Sequence, residues 1–190
     1  FQGLEGWKHR LAWEQIMAGN SGLVNAPTGC GKTYSVFLGA LIRFINEHPQ
    51  DFRNKKNNGL QMLWITPLRA LAKDIARAMQ EVIEQLNMAW RVGIRNGDTE
   101  VKEREQQKRN MPEVLIITPE SLHLLLAQKN NADIFKPLRT IAVDEWHELM
   151  GGKRGVQVEL ALSRIVNVQR LKFNVRCSGW GISATIGNLE

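Results

Sequence analysis

The sequence predicts an α/β layer fold, a mostly parallel sheet with helices on both faces. Three observations carry that reading. Runs such as Val114-Leu115-Ile116-Ile117-Thr118 and Thr140-Ile141-Ala142-Val143 are almost continuously apolar or β-branched, as strands buried on both faces are. Segments with helical periodicity separate these runs, the alternation that strand–helix–strand units need. One strand also leads through a glycine-rich turn directly into a helix, the local context of a phosphate-binding loop.

Each element follows from its own pattern. Strands are predicted at Leu23–Ala26, Leu60–Thr66, Trp90–Arg95, Val114–Thr118, Thr140–Val143 and Trp180–Ala184. Helices are predicted at Trp7–Ala18, Lys32–Asn46, Arg69–Leu86, Val101–Lys108, Glu120–Gln128 and Val156–Leu171. Glu47–Gly59 lacks periodicity, carries Arg53, Lys55 and Lys56, and reads as a solvated loop. Gly151-Gly152-Lys153-Arg154-Gly155 reads as a flexible turn. There is no internal repeat and no low-complexity linker, and 190 residues are enough for one domain with a real core.

Composition narrows the class without naming it. Hydrophobic residues make up 43% and charged residues 23%, as in an ordinary soluble globular protein. No apolar run approaches bilayer length and the first residues do not form a signal peptide, so no membrane partner is expected and the cytoplasm is the default location. The formal charge of +6 is compatible with a nucleic-acid partner but does not establish one. Cys30 and Cys177 make no disulfide framework, and neither the cysteines nor the four histidines show metal-ligand spacing.

The stretch Ala26-Pro27-Thr28-Gly29-Cys30-Gly31-Lys32-Thr33 carries the first chemistry. Gly29 and Gly31 let successive backbone N–H groups turn toward one anion. The helix that follows aims its unpaired N–H groups and its positive end at the same point. Lys32 would reach the β- and γ-phosphates of a nucleoside triphosphate, and the Thr33 hydroxyl would ligate Mg²⁺. Alanine stands where the strict motif has its first glycine. Cys30 is either a thiol sensitised by the helix terminus or simply a small residue at a tolerant position.

A second constellation lies at Thr140–Leu149, where a buried strand ends on Asp144 and Glu145. Ligands of open α/β sheets bind at the carboxyl ends of strands. There Asp144 can hold the Mg²⁺ that accompanies the triphosphate, and Glu145 can orient and deprotonate an attacking water. His147 either links the nucleotide site to neighbouring motifs or is a surface residue of the next helix.

Five segments, APTGCGKT, TPLRAL, TPESL, DEWH and SAT, occur in this order along nearly the whole chain. In that order they resemble the first RecA-like domain of superfamily-two DExH-box helicases, which are ATP-dependent motors of the P-loop class. GLVNAPTGCGKT, RNGDT and ITPESLHLLL narrow the resemblance to the large helicase-related, Lhr-like group, and within it to bacterial DNA-ligase-associated helicases. The resemblance implies that Pro27, Thr28, Gly29, Cys30, Gly31, Lys32 and Thr33 hold ATP, with Mg²⁺ on Thr33 and Asp144. Thr66, Pro67 and Arg69, then Gly97, Asp98 and Thr99, then Thr118, Pro119 and Glu120 would grip the backbone of a single strand. Hydroxyls, backbone N–H groups, helix termini and an arginine suit phosphates without reading bases. Thr118 or Ser121 can equally cap the helix that follows. His147, Ser183 and Thr185 would couple hydrolysis to movement.

The implied partners are single-stranded or tailed DNA, with RNA an open alternative, a second RecA-like domain of the parent chain, and a DNA ligase and other repair factors. A nucleotide-dependent switch module without translocation is the reading from a different class. Two features depart from the family pattern. His9 stands at the spacing of the adenine-reading glutamine, and Gln15 is too close to replace it. The sequence also ends at Glu190, before a second motor domain with its arginine fingers. Their loss typically costs about 10³ to 10⁵ in rate, so the 190 residues alone are expected to bind nucleotide weakly and hydrolyse it poorly.

Overall fold

The computed structural model describes residues 6–25, 31–128 and 131–184, with residues 6–9 described by their backbone alone. Six strands form one sheet: β1 (Gly22–Asn25), β2 (Met62–Ile65), β3 (Val92–Arg95), β4 (Val114–Ile117), β5 (Thr140–Val143) and β6 (Ser178–Ser183). Their order is β1-β6-β5-β2-β4-β3, and every neighbouring pair is parallel. Parallel neighbours cannot be joined by hairpins, so the chain crosses over between them, largely through helices. These are α1 (Gly6–Met17), α2 (Lys32–Glu47), α3 (Arg69–Gln85), α4 (Val101–Arg109), α5 (Pro119–Leu126), α6 (Ala132–Phe135), α7 (Trp146–Leu149) and α8 (Lys153–Val168).

Alternation along the strands splits the core into two layers. Met62 and Trp64 of β2 pack on one face with Val36, Phe37 and Leu41 of α2 and Met79 and Ile83 of α3. Leu63 and Ile65 point the other way, onto Leu122 and Leu125 of α5 and Val158 and Ile165 of α8. Each such fully buried side chain contributes about 1.5–3 kcal/mol. Helices therefore cover both faces, as the sequence predicts.

The strand β5 has the predicted bounds, and the other strands differ by one to two residues at one end or both. Leu60 and Trp90 were expected in strands but lie ahead of them. Both are buried, Trp90 edge-on to Phe44 at 4.7 Å between ring centres, so their apolar character reports burial rather than pairing. The expected turn at Gly151–Gly155 is corrected: only Gly151 (φ 73°) and Gly152 precede α8, which begins at Lys153. Gly155 sits in the first turn of α8 because a Cβ there would collide with the Leu149 carbonyl at the end of α7. The helix predicted to run to Leu171 instead ends at Val168 and passes into a π-helical turn, Gln169–Phe173. The buried Gln169 carboxamide donates from there to the Phe135 and Leu138 carbonyls at 2.7 and 2.8 Å.

The loop after α2 is largely exposed as expected, yet anchored. Phe52 packs against the core, the Arg53 carbonyl accepts from the Ala89 N–H, and Asn58 donates to Glu113. Cys177 is a free thiol that burial pushes up to about 11, which makes it inert at neutral pH. Among the described residues no helix is long and apolar enough to cross a membrane.

Candidate nucleotide and nucleic-acid site

The predicted site residues with described positions close a strand at its carboxyl end, follow that end or open the helix after it. The strand order then sorts them. β1, β6 and β5 are contiguous and carry the loops with nucleotide chemistry, whereas β2, β4 and β3 are contiguous and carry the loops expected to grip a strand. The boundary between these halves is the β5–β2 pair, where the Asp144 N–H donates to the Ile65 carbonyl at 2.8 Å.

In the nucleotide half, Ala26, Pro27, Thr28, Gly29 and Cys30 lie outside the described residues, as does Thr185. Gly31 is the N-cap of α2 in the left-handed region (φ 70°), a conformation costing most other residues about 1–2 kcal/mol. As a glycine it brings no side-chain cap to the start of α2. Lys32 and Thr33 are half-buried in the first turn.

Asp144 is 7% exposed, and burial pushes its carboxyl up to about 6. The Glu145 N–H, donating to Oδ1 at 3.0 Å, works against that rise, the Glu145 charge adds to it, and the charge of Lys32 opposes it. The Lys32 charge is therefore near enough to act on Asp144. Glu145 has φ 48°, an uncommon backbone conformation for a non-glycine residue and a form of strain that concentrates at functional sites. His147 joins the halves of this cluster: its Nδ1 lies 3.1 Å from Ser183 Oγ and 3.4 Å from a Glu145 oxygen. Ser183 Oγ in turn donates to the Ala184 carbonyl at 2.9 Å. The His147 side chain is 31% exposed.

These residues fit magnesium with a triphosphate. A desolvated carboxylate, a lysine opposite it, a hydroxyl in the first helical turn and an open helix start are the donor set that pair takes. No group of three or more His, Cys, Asp or Glu that could bind a metal by itself occurs among the described residues.

In the other half, Arg69, Gly97 and Asp98 are exposed at the surface. Arg69 lies 3.6 Å from Asp98, joining the loops after β2 and β3. Thr66, Pro67, Thr118 and Pro119 are buried. The Thr66 hydroxyl accepts from the Leu68 N–H at 3.3 Å, and the Thr118 hydroxyl donates to Ser121 Oγ at 3.2 Å. Thr118 is the N-cap of α5 but makes no side-chain cap hydrogen bond. Thr99 shapes its own turn, accepting from the Asn96 N–H and donating to the Ile94 carbonyl. Gln15 is occupied locally, accepting from Asn20 at 2.8 Å.

One residue that sequence reasoning passed over ties this half together. Arg154 of α8 donates to both oxygens of Glu120, at 2.7 and 3.2 Å, and to the Pro67 carbonyl at 3.3 Å. Burial works to raise the Glu120 pKa, but hydrogen bonds from Arg154 and from the backbone outweigh it and hold the carboxyl below its ordinary range. Arg154 follows Asp144 by ten positions, so it ties helix α8 back to both threonine–proline loops. No local signal marks it, because its partners are 34 and 87 residues away.

An all-parallel six-stranded sheet with helices on both faces and an acidic pair after β5 defines the class of RecA-like α/β domains. The chain belongs to the DEAD/DEAH box helicase family, whose pattern it matches over residues 8–190. It is 35% identical to the Lhr helicase/uracil glycosylase of Escherichia coli (strain K12), over 92% of this chain and 12% of that protein. With the ATP-dependent helicase Lhr-Core protein 2 of Thermococcus barophilus it shares 33% identity, over 95% of this chain and 21% of that protein. Among solved structures, Mycobacterium smegmatis helicase Lhr bound to ssDNA and AMP-PNP superposes with a TM-score of 0.76 at 34% identity, covering 94% of this chain and 22% of that one. The 190 residues thus span roughly an eighth to a fifth of the length of these relatives.

Proposed function

We propose that this chain is the ATP-binding motor domain of a DNA helicase or translocase acting in DNA repair. The observation that supports this reading is the strand order, which brings the loops carrying Lys32 and Asp144 beside those carrying Arg69, Asp98 and Glu120 on one sheet edge. Lhr bound to ssDNA and AMP-PNP, the neighbour described above, supports DNA as the polymer and ATP as the nucleotide. The E. coli relative, named as a helicase and uracil glycosylase, supports the link to repair. The motif resemblance adds a second motor domain of the parent chain, and a DNA ligase with other repair factors, as partners.

The residues divide the work. Residues 27–31 and the start of α2 cradle the phosphates, Lys32 draws the terminal phosphates into place, and Thr33 and Asp144 hold the metal. Magnesium, when bound with ATP, supplies positive charge that offsets charge developing on the phosphates. Glu145 orients a water and takes its proton. His147 passes the state of Glu145 to Ser183, which ends the strand next to β1, and Thr185 shares that coupling role. Across the boundary Arg69, Gly97, Asp98 and Glu120 face the strand, while Thr66, Pro67, Thr99, Thr118 and Pro119 shape the loops that carry them, the three threonine N–H groups being held by carbonyls of the fold.

ATP hydrolysis by the full-length parent protein, with and without single-stranded DNA or RNA, tests this reading. DNA stimulation that disappears in Lys32→Ala is expected, with the variant's rate falling about 10²-fold or more. Lys32-dependent hydrolysis that responds to RNA alone moves the motor to RNA. Hydrolysis indifferent to both polymers leaves only a nucleotide switch.

A further inference from the structure

Arg95 closes β3 at the carboxyl edge and is only 4% exposed. Its Nη1 is buried with no hydrogen-bond acceptor among the described residues. Native proteins seldom leave a buried charged donor so, because its hydration is lost with nothing in return. Arg95 lines a cavity of about 310 Å³ between α4 and α5, shared with Arg104, Glu105, Lys108, Ser121 and Leu124. Three cations there meet one carboxylate, and that carboxylate is paired with Lys108 at 2.7 Å. Burial first, and the charge of Arg104 second, hold Arg95 below its ordinary pKa, while Glu105 acts the other way. An anion in the cavity relieves both effects at once.

The position says what kind of anion. Arg104 donates to the carbonyls of Thr99, Asn96 and Gly97, at 2.9, 3.0 and 3.2 Å, so the cavity wall is built into the loop after β3. Ser121 lies one residue past Glu120, in the loop-and-helix start after β4. The cavity thus sits between two of the edge loops proposed to hold the strand, at the end of the sheet farthest from β1. We propose that it is a phosphate-binding subsite, in which Arg95 and Arg104 take the oxygens of a phosphodiester and Lys108 guards the rim. Its assignment to the bound strand rests on the nucleic-acid reading above. It extends the track beyond the threonine–proline loops and is indifferent to base identity.

The test is the binding of a labelled single-stranded oligonucleotide to the full-length parent protein over a range of salt. Arg95→Gln is expected to weaken binding equally for different base sequences and to reduce the slope of log affinity against log salt by about 0.7, one phosphate's worth. Lys108→Glu, a change at a half-exposed rim position, is expected to act in the same direction should Arg95→Gln disturb folding. A second arm titrates inorganic phosphate in a Lys32→Ala background and follows thermal stability. Protection that needs Arg95, with an unchanged DNA slope, assigns the subsite to free phosphate instead of the strand. Unchanged slopes in both variants together with no Arg95-dependent protection overturn the proposal. Failure of the motor reading shows separately, as wild-type ATP hydrolysis that ignores nucleic acid.

Discussion

Replacing Asp144 by Asn removes a carboxylate charge that burial disfavours in the folded chain. Its carboxyl rises from an ordinary 3.8 to about 6. A folded pKa above the unfolded one means that protonation favours the fold. That contribution is complete below about pH 3.8 and is lost as pH rises through about 6, leaving ionised Asp144 destabilising at neutral pH. The rise corresponds to roughly 3 kcal/mol at most. Asn keeps an oxygen for the Glu145 N–H, so the local turn survives. Without nucleotide, Asp144→Asn should therefore stabilise the chain by about 1–3 kcal/mol at pH 7.5, raising Tm by several degrees for a domain of this size. Urea unfolding of both proteins between pH 4 and 8 reads this directly. The gap should open with pH across the window from about 4 to 6 and vanish at its acid end. A variant no more stable than wild type at pH 7.5, or a gap that ignores pH, would refute the reasoning. The same substitution removes the proposed metal ligand, so stability and activity should move in opposite directions.

Two further substitutions probe the supports of the site. Arg154 and Glu120 are each about 44% exposed, so a double-mutant cycle of Arg154→Ala with Glu120→Gln should give a modest coupling of about 0.5–1 kcal/mol in unfolding experiments. Arg154→Lys should recover little of it, since an ammonium cannot span both oxygens. Gly155→Ala places a methyl against the Leu149 carbonyl and should cost about 1–3 kcal/mol by urea unfolding, with nucleotide affinity lowered because α7 follows Glu145 directly.

The parts of the molecule legible in the sequence are those whose cause is local. Thr140–Val143 was read with its true bounds because four buried residues in a row fit only a strand covered on both faces. The strand β1 and the helix α2 were legible to within one residue because a short apolar run and an amphipathic helical period each mark themselves locally. Four-residue helices such as Ala132–Phe135 and Trp146–Leu149 are too short to show a period. The turn at Gln169–Phe173 depends on carbonyls more than thirty positions away. For the site, sequence gave Thr66 and Thr118 as candidates but not that their hydroxyls are engaged within the fold. Arg95 and Arg154 acquire meaning only from strand order, which puts β3 beside β4 and brings α8 against the start of α5. Tertiary burial, unlike motif chemistry, leaves no mark at a single position.

The central claim is that one sheet edge holds two coupled half-sites, meeting where Asp144 bonds to Ile65. The most direct measurement is the affinity of the full-length parent protein for single-stranded DNA with and without AMP-PNP, and the affinity for AMP-PNP with and without the DNA. The account predicts that each ligand changes the other's affinity by the same factor, roughly 5- to 150-fold. Two affinities that do not respond to one another would contradict it.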